Sequence, residues 1–270
     1  MAISADFHTH SSFSSDSTAP LEEMVKRACL LGLTHYCVTE HLDLDFPVNP
    51  DGLTFELDTK AYLAAASLLR EKYLSQLNLY TGVELGLQPH LAERLRTYIE
   101  EYSFDFIIGS SHLCGGRDPY YPTFYEGRSE EEAYEEYFTS ILENIRIFDD
   151  FDVYGHLDYV VRYGPHKDTR YSYEKYQDIL DPIIRLLIEK GKGIEVNTGG
   201  LKYGLKDLHP CTPLLKRYRE LGGEIITIGS DAHKPENIGA YFPRAEEALK
   251  ACGFSYYTIF QERKPKFLPL

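Results

Sequence analysis

Short runs of apolar, mostly β-branched residues recur along the chain, separated by longer stretches whose apolar positions repeat every three to four residues. Period two alternating with period 3.6 is the signature of βα units wound around a parallel sheet, and about seven units can be counted. After a first strand leading into residues 6–10, strands are predicted over 35–39, 78–85, 104–110, 152–157, 193–197 and 224–230. Helices are predicted over 20–32, 59–73, 91–102, 130–148, 173–190, 212–221 and 244–252, and a last strand over 255–260 completes the series. The first helix shows why: Pro20 sits in its first turn, Glu22 and Glu23 follow where the dipole favours anions, and Gly32 ends it. Residues 43–57 and 115–127 carry Pro and Gly without a period and read as loops. No internal repeat, low-complexity tract or linker-like segment interrupts the series. The expectation is a single α/β domain over residues 1–270.

Composition narrows the function. With 270 residues, 43% of them hydrophobic, the chain can bury one large core. A formal net charge of -14 argues against a nucleic-acid backbone or an anionic membrane as partner, since either calls for clustered Lys and Arg. The five cysteines are scattered without a C-x-x-C pair, which indicates neither a disulfide framework nor a zinc knuckle and fits a reducing cytoplasm. No basic and apolar leader opens the sequence, and no apolar run approaches a membrane span, so a soluble, unprocessed, cytoplasmic protein is expected.

The chemistry lies where strands end. His8 and His10, at i and i+2 of an extended segment, point the same way, and Asp231 and His233 repeat that arrangement after the last barrel strand. Between them, strand two runs into Glu40 and His41, strand three ends in Glu84, strand four in His112 and strand five in His156. Of ten histidines, six fall at strand exits, where barrel chemistry gathers. So many N and O donors exceed one tetrahedral zinc, and imidazoles mixed with carboxylates suit zinc, manganese or iron in a multinuclear cluster with Glu84 as the bridging carboxylate. His35, His90 and His166 read as ordinary surface or packing residues; His209 is unassigned.

The set His8-Thr-His10, Thr39-Glu40-His41, Gly82-Val83-Glu84, Ser111-His112, Gly155-His156 and Gly229-Ser-Asp-Ala-His233, in this order, resembles the PHP family, named for polymerases and histidinol phosphatases. The resemblance implies a distorted (β/α)7 TIM-like barrel holding three divalent metal ions. It implies His8, His10, Glu84 and Asp231 on the first metal, Glu84, His112 and His156 on the second, and Asp16, His41 and His233 on the third. Many relatives carry a histidine where this chain has Asp16, and a carboxylate there favours a harder ion. Within the family, Glu195-Val-Asn-Thr-Gly-Gly-Leu-Lys202 resembles the branch that hydrolyses L-histidinol phosphate in histidine biosynthesis. Lys202 stands where that branch commonly has Arg, which keeps the charge without the bidentate fork.

The reaction expected from this likeness is hydrolysis of a small phosphate monoester, a metal-bridging hydroxide attacking phosphorus in line. Glu84, Asp231 and His233 would be catalytic, with Arg162 and Lys202 on the phosphate and Arg117 and Lys206 as weaker candidates. Glu40 is a candidate to orient an imidazole through its second nitrogen. Tyrosines of the 115–127 loop could wall an imidazole-bearing substrate. Competing readings are another phosphoesterase of the family, acting on phosphotyrosine or nucleotides, a C–N hydrolase, or an inactive interaction module. The absence of polymerase modules and the acidic charge weigh against a long nucleic-acid substrate, and the complete ligand set against an inactive module.

Overall fold

The computed structural model describes residues 3–48, 50 and 52–270. Seven strands, β1 (Ala5–Asp6), β2 (His35–Leu42), β3 (Asn78–Gly86), β4 (Phe106–Ser110), β5 (Val153–Tyr154), β6 (Gly193–Asn197) and β7 (Ile226–Gly229), lie side by side in chain order, every pair parallel. The ring closes between its ends: Phe7 N–H donates to Ile228 O (3.0 Å), Asp231 N–H to His8 O (2.9 Å) and His10 N–H to Ala232 O (2.9 Å). This is the expected distorted barrel of seven βα units.

Around it run α1 (Leu21–Leu30), α2 (Thr59–Tyr73), α3 (Ala92–Glu101), α4 (Glu130–Ile147), α5 (Val160–Tyr163), α6 (Tyr173–Glu189), α7 (Gly199–Lys202), α8 (Thr212–Glu220) and α9 (Phe242–Ala251). The main helices fall within two residues of the predicted bounds because their end signals are local. At α4, Ser129 accepts from the Glu132 amide while Glu132 accepts from the Ser129 amide, a reciprocal cap that fixes the first turn. The one-turn helices α5 and α7 were not predicted; four residues are too few to show a period. Strands β1 and β5 are shorter than expected because the chain leaves the ladder where it delivers ligand-type side chains into the barrel mouth.

The expected last strand departs from the series. β8 (Tyr256–Gln261) lies outside the barrel sheet and pairs antiparallel with β9 (Lys264–Pro269), a strand the sequence concealed behind two prolines and two lysines. The turn between them, Glu262-Arg263, has both residues at positive φ (51° and 62°), as a two-residue hairpin demands, and lies against the amino-terminal end of the barrel. Among the described residues, no helix is long and apolar enough to cross a membrane.

Candidate metal centre

Apart from Glu40, the strand-end residues singled out above converge on one cluster at the carboxyl end of the barrel, with Glu84 at its centre. Fully buried on β3, this carboxylate lies within 3.5 Å of five imidazoles: His8 (3.1 Å), His10 (3.5 Å), His41 (3.0 Å), His112 (3.2 Å) and His156 (2.8 Å). His8 and His10 meet Asp231 across the barrel seam at 3.9 and 3.6 Å, and their Nε2 atoms are 3.1 Å apart. Toward solvent, Asp16 faces His41 (3.6 Å) and His233 (3.0 Å). The His10 ring stacks against those of His41 and His233, with centroids 4.1 and 4.3 Å away.

The second nitrogens show what holds the rings. His8 Nδ1 is 2.6 Å from Glu195 on β6, and His112 Nδ1 is 2.7 Å from Asp43, one residue past β2. Two glycines make room for these carboxylates. A Cβ at Gly229 would come within 2.3 Å of Glu195 Oε1, and one at Gly86 within 1.9 Å of Asp43 Oδ1. Glu40 does not orient an imidazole directly, contrary to expectation. It accepts from the Ser11 amide (3.0 Å), the Ser11 hydroxyl and the Ser14 hydroxyl (2.5 Å), and Ser14 Oγ in turn lies 3.3 Å from His10 Nδ1.

Carboxylates and imidazoles in the cluster shift one another's protonation. Burial opposes charge on Glu84, yet His8, His112 and His41 hold its carboxyl well below the usual range; Asp231 and Asp16 are held low likewise, against burial, by neighbouring imidazoles together with Arg162 at Asp231. In return, and again against burial, Glu195 and Glu84 raise His8, while Asp43 and Glu84 raise His112 to about 10. Burial lowers His10 and His156. Protons thus answer the negative charge, and a cation would displace them. The donor set fits divalent metals on a further observation: His41 Nδ1, His156 Nδ1 and Asp43 Oδ2 are buried with no hydrogen-bond partner among the described residues, and two imidazole nitrogens face each other at 3.1 Å, where at most one can carry a proton.

A cleft of about 450 Å³ opens above the cluster, its aromatic wall formed by Phe46, Phe55, Tyr120, Tyr159, Tyr163 and Tyr203. The tyrosines come from α5 and the turn after α7 as well as from the 115–127 loop. Lys202 lines the cleft, forms no ion pair among the described residues, and is lowered in pKa by burial. Arg162 also lines it, but its terminal nitrogens are each 3.2 Å from Asp231 Oδ2. Arg117 pairs with Glu136, and neither it nor Lys206 lines the cleft. His35, His90 and His166 lie outside the cluster, against Tyr80, Asp45 and Glu130. His209, left unassigned by the sequence, is fully buried beside Arg162.

Fold and cluster together define a parallel barrel whose mouth is furnished for divalent metals. The model of the PHP domain family matches residues 6–199, and the chain belongs to that family. It is 33% identical to the histidinol-phosphatase of Lactococcus lactis, over 96% of this chain and 95% of that one. It is 32% identical to a Clostridium acetobutylicum protein named probable histidinol-phosphatase, over 97% and 98% of the two chains. A solved structure of Lactococcus lactis histidinol phosphate phosphatase, complexed with zinc, L-histidinol and phosphate, superposes with a TM-score of 0.88 at 30% identity, over 98% of this chain and 99% of that one.

Proposed function

We propose that the chain, acting as one domain over residues 1–270, hydrolyses L-histidinol phosphate to L-histidinol and phosphate with three divalent metal ions. The observation that carries this reading is Glu84 ringed by five imidazoles beneath an aromatic cleft, in a chain similar along nearly its whole length to histidinol phosphatases. His8, His10, Glu84 and Asp231 would hold the first metal, Glu84, His112 and His156 the second, and Asp16, His41 and His233 the third. Zinc is the first ion to try, manganese and iron the next. When bound, the metals supply Lewis-acid neutralisation of the ester oxygens and acidify water.

The chain's own residues do the rest. Glu195 and Asp43 fix the rings of His8 and His112, so the donor nitrogens need no reorganisation. Glu84, Asp231 and His233 are the residues assigned the catalytic role. Lys202, and Arg162 at the cleft floor, attract the phosphate, while the aromatic wall excludes water and offers faces on which an imidazole can stack. The five free thiols support a reducing compartment, the cytoplasm, as the site of this step of histidine biosynthesis.

The test is phosphate release by metal-reconstituted protein, comparing kcat/KM for histidinol phosphate with that for an aryl phosphate and a phosphotyrosine peptide. A preference of several orders of magnitude is expected, each tenfold amounting to about 1.4 kcal/mol of transition-state discrimination. Uniformly slow rates would overturn the substrate assignment. Lys202→Ala should raise KM about tenfold with kcat nearly kept, as loss of a uniform binding contact does; an unchanged KM would remove Lys202 from the substrate site.

A further inference from the structure

Beneath the cleft runs a buried chain of polar side chains of which only the last, Asp231, is a proposed metal ligand. Asp158 Oδ1 is 2.5 Å from His209 Nδ1, His209 Nε2 is 3.4 Å from Arg162 Nε, and the two terminal nitrogens of Arg162 reach Asp231 Oδ2. Relative exposures of 1%, 0% and 4% keep Asp158, His209 and Arg162 out of bulk solvent.

The chemistry of the groups fixes every proton. A guanidinium only donates, so His209 Nε2 must accept from Arg162 Nε–H, and the ring proton therefore sits on Nδ1 and goes to Asp158. The other Asp158 oxygen accepts from the Cys211 amide at 2.9 Å, which forbids the carboxylate from turning. His209 is equally immobile: its main chain exchanges two hydrogen bonds with Asn197 of β6 (2.6 and 3.0 Å), and a Cβ on Gly200 would strike its ring at 2.6 Å. On its other side the guanidinium is covered by the Tyr203 ring, 4.7 Å from the centroid.

We propose that Asp158 and His209 are positioning residues: they lock the plane of the Arg162 guanidinium, so that one arginine at once holds Asp231 and presents an oriented face to a phosphate in the cleft. An arginine held only at its tip would swing about its last torsions. Held at Nε by an acceptor of fixed tautomer, it cannot. This inference rests on the phosphatase reading for its substrate, though not for its geometry.

Three variants test it. In His209→Asn the amide can still donate to Asp158 but loses the acceptor at Arg162; in His209→Gln an amide oxygen can reach the Nε2 position. In Asp158→Asn the Cys211 amide claims the oxygen, so the new NH₂ faces His209 and drives the ring proton to Nε2, against Arg162 Nε–H, the wrong-tautomer effect. The expected result is a loss of about 10- to 100-fold in kcat/KM for His209→Asn and Asp158→Asn, carried mainly by KM, at unchanged metal content and melting temperature. His209→Gln should recover most of it. In an Arg162→Ala background His209→Asn should cost nothing further, and equal losses in both backgrounds would overturn the proposal.

Nitrogen-15 NMR of the metal-free chain gives a reading independent of turnover. A slowly exchanging Arg162 Nε–H and a protonated Nδ1 on His209 are expected, the first lost in His209→Asn and the second moved to Nε2 in Asp158→Asn. A rapidly exchanging Nε–H in the unaltered chain would overturn the proposal. If these signals are as expected and histidinol phosphate is not hydrolysed, the functional reading fails while the lock stands.

Discussion

The two ends of the barrel treat buried charge in opposite ways. At the amino-terminal end every buried acid is answered: Asp105 accepts from Arg70 (2.6 Å) and from the Thr81 amide (3.0 Å), and Asp152 from Arg263 (2.7 Å) and the Ile107 amide (2.8 Å). At the carboxyl end Glu84 draws five imidazoles toward itself, and His41 Nδ1, His156 Nδ1 and Asp43 Oδ2 have no hydrogen-bond partners among the described residues. The same barrel, with similar side chains, is closed for stability at one end and left wanting a cation at the other. Buried polar atoms without partners also occur elsewhere, Arg70 Nε among them, but around Glu84 they are ligand-type atoms gathered at one point, which fits a site built for a cation.

That contrast can be broken in graded steps. Glu84→Ala should act most strongly, removing the carboxylate common to two proposed metal positions; metal analysis should show at least one ion lost, and turnover should fall about a thousandfold or more. Substantial activity with full metal content would strike Glu84 from the scheme. Asp43→Ala should be milder, freeing the second nitrogen of His112 and weakening metal affinity about 10- to 100-fold, read as a shift in the metal concentration that restores activity. An unshifted titration would reduce Asp43 to a packing residue. Arg263→Ala should cost about 1–3 kcal/mol of stability by leaving Asp152 with one partner fewer, visible as a lower melting temperature with kcat intact. A drop in kcat at unchanged metal content would show that the two ends are not separable.

Much of the carboxyl end was legible in the sequence because ligand-type side chains sit at fixed offsets from strand ends, and strand ends show as a change of period. His8, His10, Glu84 and Asp231 needed no tertiary information to be suspected. Asp43 and Glu195 did: each meets its imidazole from a different strand, so the pairing depends on inter-strand register, which hydrophobic pattern does not encode. Their trace in the sequence is indirect, in Gly86 and Gly229, whose lack of a side chain clears the space. Glu40 misled for a related reason, since adjacency to His41 in a strand puts its side chain on the opposite face. His209 belongs to no strand end, and only folding reveals that it backs Arg162. At the other end β9 escaped because Pro265, Lys264 and Lys266 suit an edge strand and argue against an interior one.

The seam between β1 and β7 also has a consequence in time. His8 and His10 are made first, whereas Asp231, whose amide bonds the His8 carbonyl across that seam, follows about 220 residues later, an interval of roughly ten to forty seconds at ordinary rates of translation. Once Glu84 has followed, the nascent chain carries three of the four residues proposed for the first metal and still lacks the last. On the proposed ligand assignment, the first metal position would therefore be completed only as synthesis closes.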